Sequence, residues 1–153
     1  MRLLNNLLMA ALVGLAACQS GGSNKASQSA APKTHADSLM DDIMAGHDEG
    51  MGKMGRIMAT EKKVQAALDS LAKLPAAARK AAAGYQARLD SLKQGLGMAQ
   101  DAMNRWMDTF SMDTLAGDLE KRTRYLETEK QKIQEVGQQM RQWLDRADSL
   151  IRP

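Results

Sequence analysis

Met44, His47 and Met51 stand three and four residues apart, a spacing that sets all three side chains on one face of a helix. Two thioethers and an imidazole suit a soft cation such as Cu(I) or Ag(I). A second stretch, AMNRWMDTF, offers Met103 as a further thioether and Trp106 as an aromatic face that can attract a cation. The competing reading needs no ligand. Methionine is an adaptable core filler, and a Met line at helical spacing is core by default. The line runs on through Met54 and Met58, past the reach of one ion, and holds a single histidine. Core packing is therefore the expectation, and no cofactor is called for. A Cu(I) site at Met44, His47, Met51 and Met103, with Trp106 nearby, is the alternative.

Other chemistry is thin. Asp41, Asp42, Asp48 and Glu49 fall on the outward positions of the same helix, where charge is the default. His35 stands alone near Lys33. No glycine-rich loop follows a strand, and no nucleophile has a base at a spacing that implies contact, so the chain is not expected to be an enzyme. A net charge of +3, evenly mixed along the chain, is too small for nucleic-acid binding. The segment EKRTRYLETEKQK, residues 120–132, alternates in sign as a solvated face or a salt-bridged seam does.

The elements that would position these residues are legible. Ala, Met, Leu, Lys, Glu and Gln dominate, all helix formers. In the first segment Met40, Met44, His47, Met51, Met54 and Met58 alternate steps of four and three, and the pattern then drifts to Ile57, Val64, Leu68 and Leu71. The second keeps that alternation through Ala78, Ala82, Tyr85, Leu89, Leu92, Leu96, Ala99, Met103, Trp106 and Phe110. The third has Leu115, Leu119, Leu126, Ile133, Val136, Met140, Trp143, Ala147 and Leu150, with Arg122 and Glu129 at seam positions. A period near 3.5 marks helices packed side by side. Asp37 or Ser38 is expected to cap the first helix, Leu74-Pro75 to end it, and Asp113 or Thr114 to cap the third. The expected fold is all-α: an antiparallel, coiled-coil-like three-helix bundle over residues 37–153, with helices at about 37–73, 76–110 and 115–151. A turn at Pro75 would place His47 opposite Met103 and Met44 opposite Trp106, and a turn near Asp113 would bring Tyr85 close to Trp143. Gly46, Gly50, Gly52 and Gly55 each cost about 1 kcal/mol in a helix, which close helix approach would justify better than local looseness.

The chain opens MRLLNNLLMAALVGLAACQS. Arg2 is a short basic region, Leu3 to Leu15 an apolar stretch too short to span a bilayer, and Leu15-Ala16-Ala17 leads into Cys18, the only cysteine. This resembles the lipobox of bacterial lipoproteins. It implies a signal peptide at 1–17, cleavage before Cys18, and a diacylglyceryl and acyl (palmitate-type) anchor on that thiol. By the same resemblance, Gln19 in place of Asp points to the outer membrane, and the lack of an acidic run after Cys18 to its periplasmic side. Residues 18–36 are small and polar and are expected to be a disordered tether.

Two elements carry a further resemblance. LMDDIMAGHDEGMGKMGRI, holding Met40, Asp41, Ile43, Met44, His47, Asp48, Glu49, Met51, Lys53, Met54 and Ile57, is similar to a motif of small Bacteroidota-type lipoproteins loosely labelled "viral A-type inclusion protein". Met103, Trp106, Met107 and Phe110 match that family's second element, while Gly46, Gly50 and Gly55 depart from its pattern. The resemblance implies a lipoprotein with a helical bundle and no established activity. The expected role is thus a lipid-anchored structural or interaction module, bound to the membrane through Cys18, with an envelope protein or a second copy as partner. A periplasmic soft-metal carrier and a small chaperone or adaptor are the alternatives.

Overall fold

A computed structural model describes residues 32–151. The expected signal peptide, Cys18 and most of the expected tether lie outside the described residues. Four helices follow one another: α1 (His35–Ala72), α2 (Ala76–Ala81), α3 (Ala83–Thr109) and α4 (Leu119–Leu150). The fold is an all-α bundle. Each of the three long helices packs on the other two, while α2 buries no residue.

The helix ends differ from the expected ones, and hydrogen bonding explains each case. α1 starts at His35 because Thr34 is its cap. The Thr34 hydroxyl accepts the Asp37 amide at 3.1 Å, and the Asp37 carboxylate accepts the Thr34 amide at 2.9 Å. Asp37 is thus the third residue of a capping box and not the cap. Pro75 ends the turn after α1 as expected and caps α2. Only Ala82 separates α2 from α3, so the second helix carries a one-residue interruption. The largest departure is before α4. Residues 110–118 form a loop, and Asp118 replaces Asp113 or Thr114 as the cap, accepting the Lys121 amide at 3.0 Å. Arg122 holds the loop off the helix path by donating Nη1 to the carbonyls of Met112 (2.8 Å) and Thr114 (3.1 Å). The Tyr125 hydroxyl accepts the Ser111 amide at 2.9 Å.

Cross-helix ion pairs give the directions. His35–Glu127, Asp42–Lys130, Glu49–Arg141 and Arg56–Asp148 climb α1 and α4 together, so these helices are parallel. Their α1 members recur every seven residues, the coiled-coil pattern of flanking charges. Contacts between α1 and α3 run the other way: Lys93 reaches Gln65, and Trp106 meets His47. The up-down-up order follows.

Fully buried Ile43, Ile57 and Val64 of α1, Leu89, Leu96 and Met103 of α3, and Leu126, Ile133 and Met140 of α4 fill the centre. On α3 the inner positions are those the spacing predicts. On α1 they are not. The inward line is Ala36, Leu39, Ile43, Gly50, Ile57 and Val64. The methionine line lies beside it: Met40, Met44 and Met54 are half-buried, and Met51 and Met58 are exposed. The methionine line steps by three and four throughout, the inward line by three, four and then sevens, and the branched Ile and Val side chains take the interior.

The glycines divide by what faces them. A Cβ at Gly50 would overlap the Met103 ε-methyl, one at Gly46 would stand 3.2 Å from Ile133 Cγ2, and one at Gly95 would overlap the Trp143 indole. Close approach therefore accounts for these three. Gly52 and Gly55 face open space, so close packing does not account for them. Gly52→Ala and Gly55→Ala are each expected to stabilise the bundle by about 0.5–1 kcal/mol through helix propensity alone, read as a higher denaturation midpoint in urea.

Exposed carboxylates tune the fold's pH response. Hydrogen bonds from Lys53 and Arg141 hold the Glu49 carboxyl below its ordinary value. The Thr34 amide does the same for Asp37, and Lys121 for Asp118. A carboxyl with a lowered folded-state pKa contributes stability that is complete above its unfolded value and is lost as pH falls through the folded one. Glu61 acts in the opposite sense, because burial raises it and its protonation relieves a cost. With three such groups against one, the melting temperature is expected to be level from pH 7 to about 5 and to fall below about pH 4, near the ordinary carboxylate range. Glu49→Gln should flatten part of that acid slope in melts followed by circular dichroism.

Candidate functional site

The level of His47 joins all three long helices. α1 places the imidazole at the rim, its side chain 22% exposed, with Nδ1 3.0 Å from Asp48 Oδ1. Its ring lies 5.8 Å from that of Trp106 on α3. Trp106 stacks on Phe110 at 4.8 Å, and Phe110 stacks on Tyr125 of α4 at 6.3 Å. A line of four rings thus crosses from α1 over α3 to α4.

Beneath it sits the one buried charged side chain among the described residues, Glu129, 4% exposed. Trp106 Nε1 donates to its Oε2 at 3.0 Å, and Lys132 Nζ donates to its Oε1 at 2.7 Å. The spacing had placed Glu129 on the seam. The structure adds the reason it is tolerated there, since each carboxylate oxygen has a donor. A satisfied polar group on a helix seam fixes register, as a buried polar residue does in coiled coils. Arg122, the other charged seam residue, holds the loop before α4.

The expected pairings are shifted. His47 meets Trp106 where Met103 was expected, and Met103 meets Gly50, three positions further along α1. The connection through Pro75 carries the extra short helix α2, which moves the register. Trp143 does not lie by Tyr85. Its indole covers Gly95, because the loop at 110–118 starts α4 later and slides α4 along α3. Arg146 stacks its guanidinium 4.3 Å from the Trp143 ring centroid, and Arg88, Ser91 and Leu92 line a groove beside it. The fused register of Gly95 and Trp143 had no sequence signal beyond an unexplained glycine.

The candidate soft ligands are in unlike surroundings. Met103 is sealed in the core with its ε-methyl in the space left by Gly50, Met44 is half-buried, and Met51 is 41% exposed. Met98 and Met107 are also exposed. His47 is the member of the set that touches Trp106. The two stretches that carry the family resemblance do come together, through that ring contact. Among the described residues no group of three or more His, Cys, Asp or Glu could hold a metal ion. None of the helices described is long and apolar enough to cross a membrane. No protein-family model, curated protein or solved structure matches this chain.

Proposed function

We propose that this chain is a lipid-anchored helical-bundle protein of the cell envelope, held at the outer membrane through Cys18 on the periplasmic side. In this reading it serves as a structural or protein-interaction module and not as an enzyme. The observation that carries the reading is the stretch Leu15-Ala16-Ala17-Cys18, which holds the only cysteine at the end of a short apolar leader. The bundle supports it in two ways. Among the described residues, 32–151, the three long helices share one continuous apolar core. Its seam polar group, Glu129, is taken up by Trp106 and Lys132 and leaves no free base beside a nucleophile.

Metabolic labelling with a palmitate analogue tests the anchor. The wild-type chain is expected to be labelled and to sediment with membranes, and Cys18→Ser to be unlabelled and released. A labelled Cys18→Ser protein would sink the reading. Titration with Cu(I) against a competing chelator addresses the soft-metal alternative. The expected result is no binding tighter than about micromolar, or about −8 kcal/mol. Tight binding that is lost in His47→Ala would replace the structural reading with a metal-carrier one.

A further inference from the structure

The end of the bundle where the chain enters is also where its apolar loop is bare. α1 begins beside the start of α4: His35 pairs with Glu127 at 3.6 Å, and Arg122 acts electrostatically on Asp37. That same Arg122 holds the Met112 and Thr114 carbonyls of the 110–118 loop. The loop and its borders expose Met112 (58%), Leu115 (43%) and Leu119 (63%). Leu115 is the unusual one. Its backbone has φ of 60°, the left-handed region that disfavours any residue with a Cβ. Neither local conformation nor burial accounts for a leucine there. A glycine would fit the backbone better, and a polar residue would suit the solvent.

We propose that Met112, Leu115 and Leu119 insert into the lipid surface to which the chain is anchored, docking the bundle end-on against the bilayer. The choice of a lipid surface as occupant rests on the anchor reading above. Fifteen residues lie between Cys18 and Thr34, a span of at most about 55 Å when fully extended, and the chain arrives at this end of the bundle. The opposite end, at Pro75, lies a further helix away, since the 38 residues of α1 cover about 57 Å. The tether therefore holds this loop near lipid at high effective concentration, so weak insertion suffices. Charge near the loop is balanced: Asp113, Asp118 and Glu120 against Lys121, Arg122 and Arg124. Recognition is then apolar, and headgroup charge has little part in it.

The test uses the chain from residue 19 onward, which holds every core residue among the described ones and lacks any acyl group. It is mixed with vesicles of phosphatidylcholine alone and of phosphatidylcholine with phosphatidylglycerol, at low and high salt, and sedimented. Comparable binding to both compositions, retained in salt, is expected. Leu119→Ser and Leu115→Gly should each weaken it at least fivefold, while Met51→Ser and Met58→Ser, on the side of α1, leave it unchanged. Leu115→Gly should also raise the melting temperature, since it relieves the backbone, so its loss of binding cannot be unfolding. Four outcomes would overturn the proposal: no vesicle binding, binding confined to anionic vesicles and abolished by salt, equal loss in the Met51 and Met58 variants, or a dimer in sedimentation velocity that Leu119→Ser dissolves. The last would assign the loop to a second copy. Failure of Cys18 acylation with vesicle binding intact would remove the anchor reading and leave loop insertion standing.

Discussion

Trp106→Ala is expected to cost the bundle about 3–5 kcal/mol, the usual range for deleting a buried aromatic. Domains of this size are stable by only about 5–15 kcal/mol, so much of the variant should be unfolded at moderate temperature. Two losses combine. The indole is 5% exposed and links His47 to Phe110 in the ring line. Its Nε1 is also the donor to Glu129 Oε2. Trp106→Phe separates the two effects, because it keeps most of the ring and removes the donor. Leaving a buried oxygen unpaired costs about 1–3 kcal/mol, and Lys132 still covers the other oxygen. Trp106→Phe combined with Glu129→Leu should then recover most of that loss, since an apolar pair in place of a buried polar one is often neutral. Urea denaturation followed at 222 nm reads these three variants and Glu129→Leu alone. If the double variant shows the plain sum of the two single losses, Trp106 and Glu129 are not coupled and this account of the seam fails.

Gly95→Leu should expel the Trp143 indole from its seat and cost about 3 kcal/mol or more, through overpacking and the lost burial together. Gly95→Ala is the finer probe. A single Cβ at this position already overlaps the ring. Overpacking of about 1–3 kcal/mol opposes a helix-propensity gain of about 1 kcal/mol, for a net loss of up to roughly 2 kcal/mol. Trp143 should become more exposed and its stack with Arg146 should break, seen as a red shift in emission in a Trp106→Phe background. The same substitution at Gly52 or Gly55 carries the opposite sign, because nothing stands over those positions. A rise in melting temperature for Gly95→Ala would mean that Trp143 yields without loss.

The helical class, the number of long helices and the inner line of α3 could be read from the chain alone. Leu89, Leu92, Leu96, Ala99, Met103 and Trp106 are apolar at a period that only a packed helix satisfies, and all six are buried. Glu129 was legible as a seam residue because it interrupts the third line at a heptad position. The inner line of α1 was legible only in its second half, at Ile57 and Val64. In its first half the methionine line runs one residue away from the inward line at heptad spacing, and a pattern of apolar residues does not distinguish Met from Ile. Burial does, because the space left by Leu96, Met103 and Ile133 takes the compact branched side chains and leaves room for Gly46 and Gly50 at the closest approaches.

What the sequence by itself determined is local: helix propensity, the break at Pro75 and the period of the seams act over a few residues, so they survive without a partner helix. What the tertiary structure alone decided is relative. The pairing of His47 with Trp106, of Trp143 with Gly95, and the role of each glycine depend on where a neighbouring helix stops and starts. That was set by α2 and by the loop at 110–118, whose course follows from Arg122 binding two loop carbonyls and from Asp118 capping α4. Those bonds join residues from three to ten positions apart through side chains, and no periodicity records them.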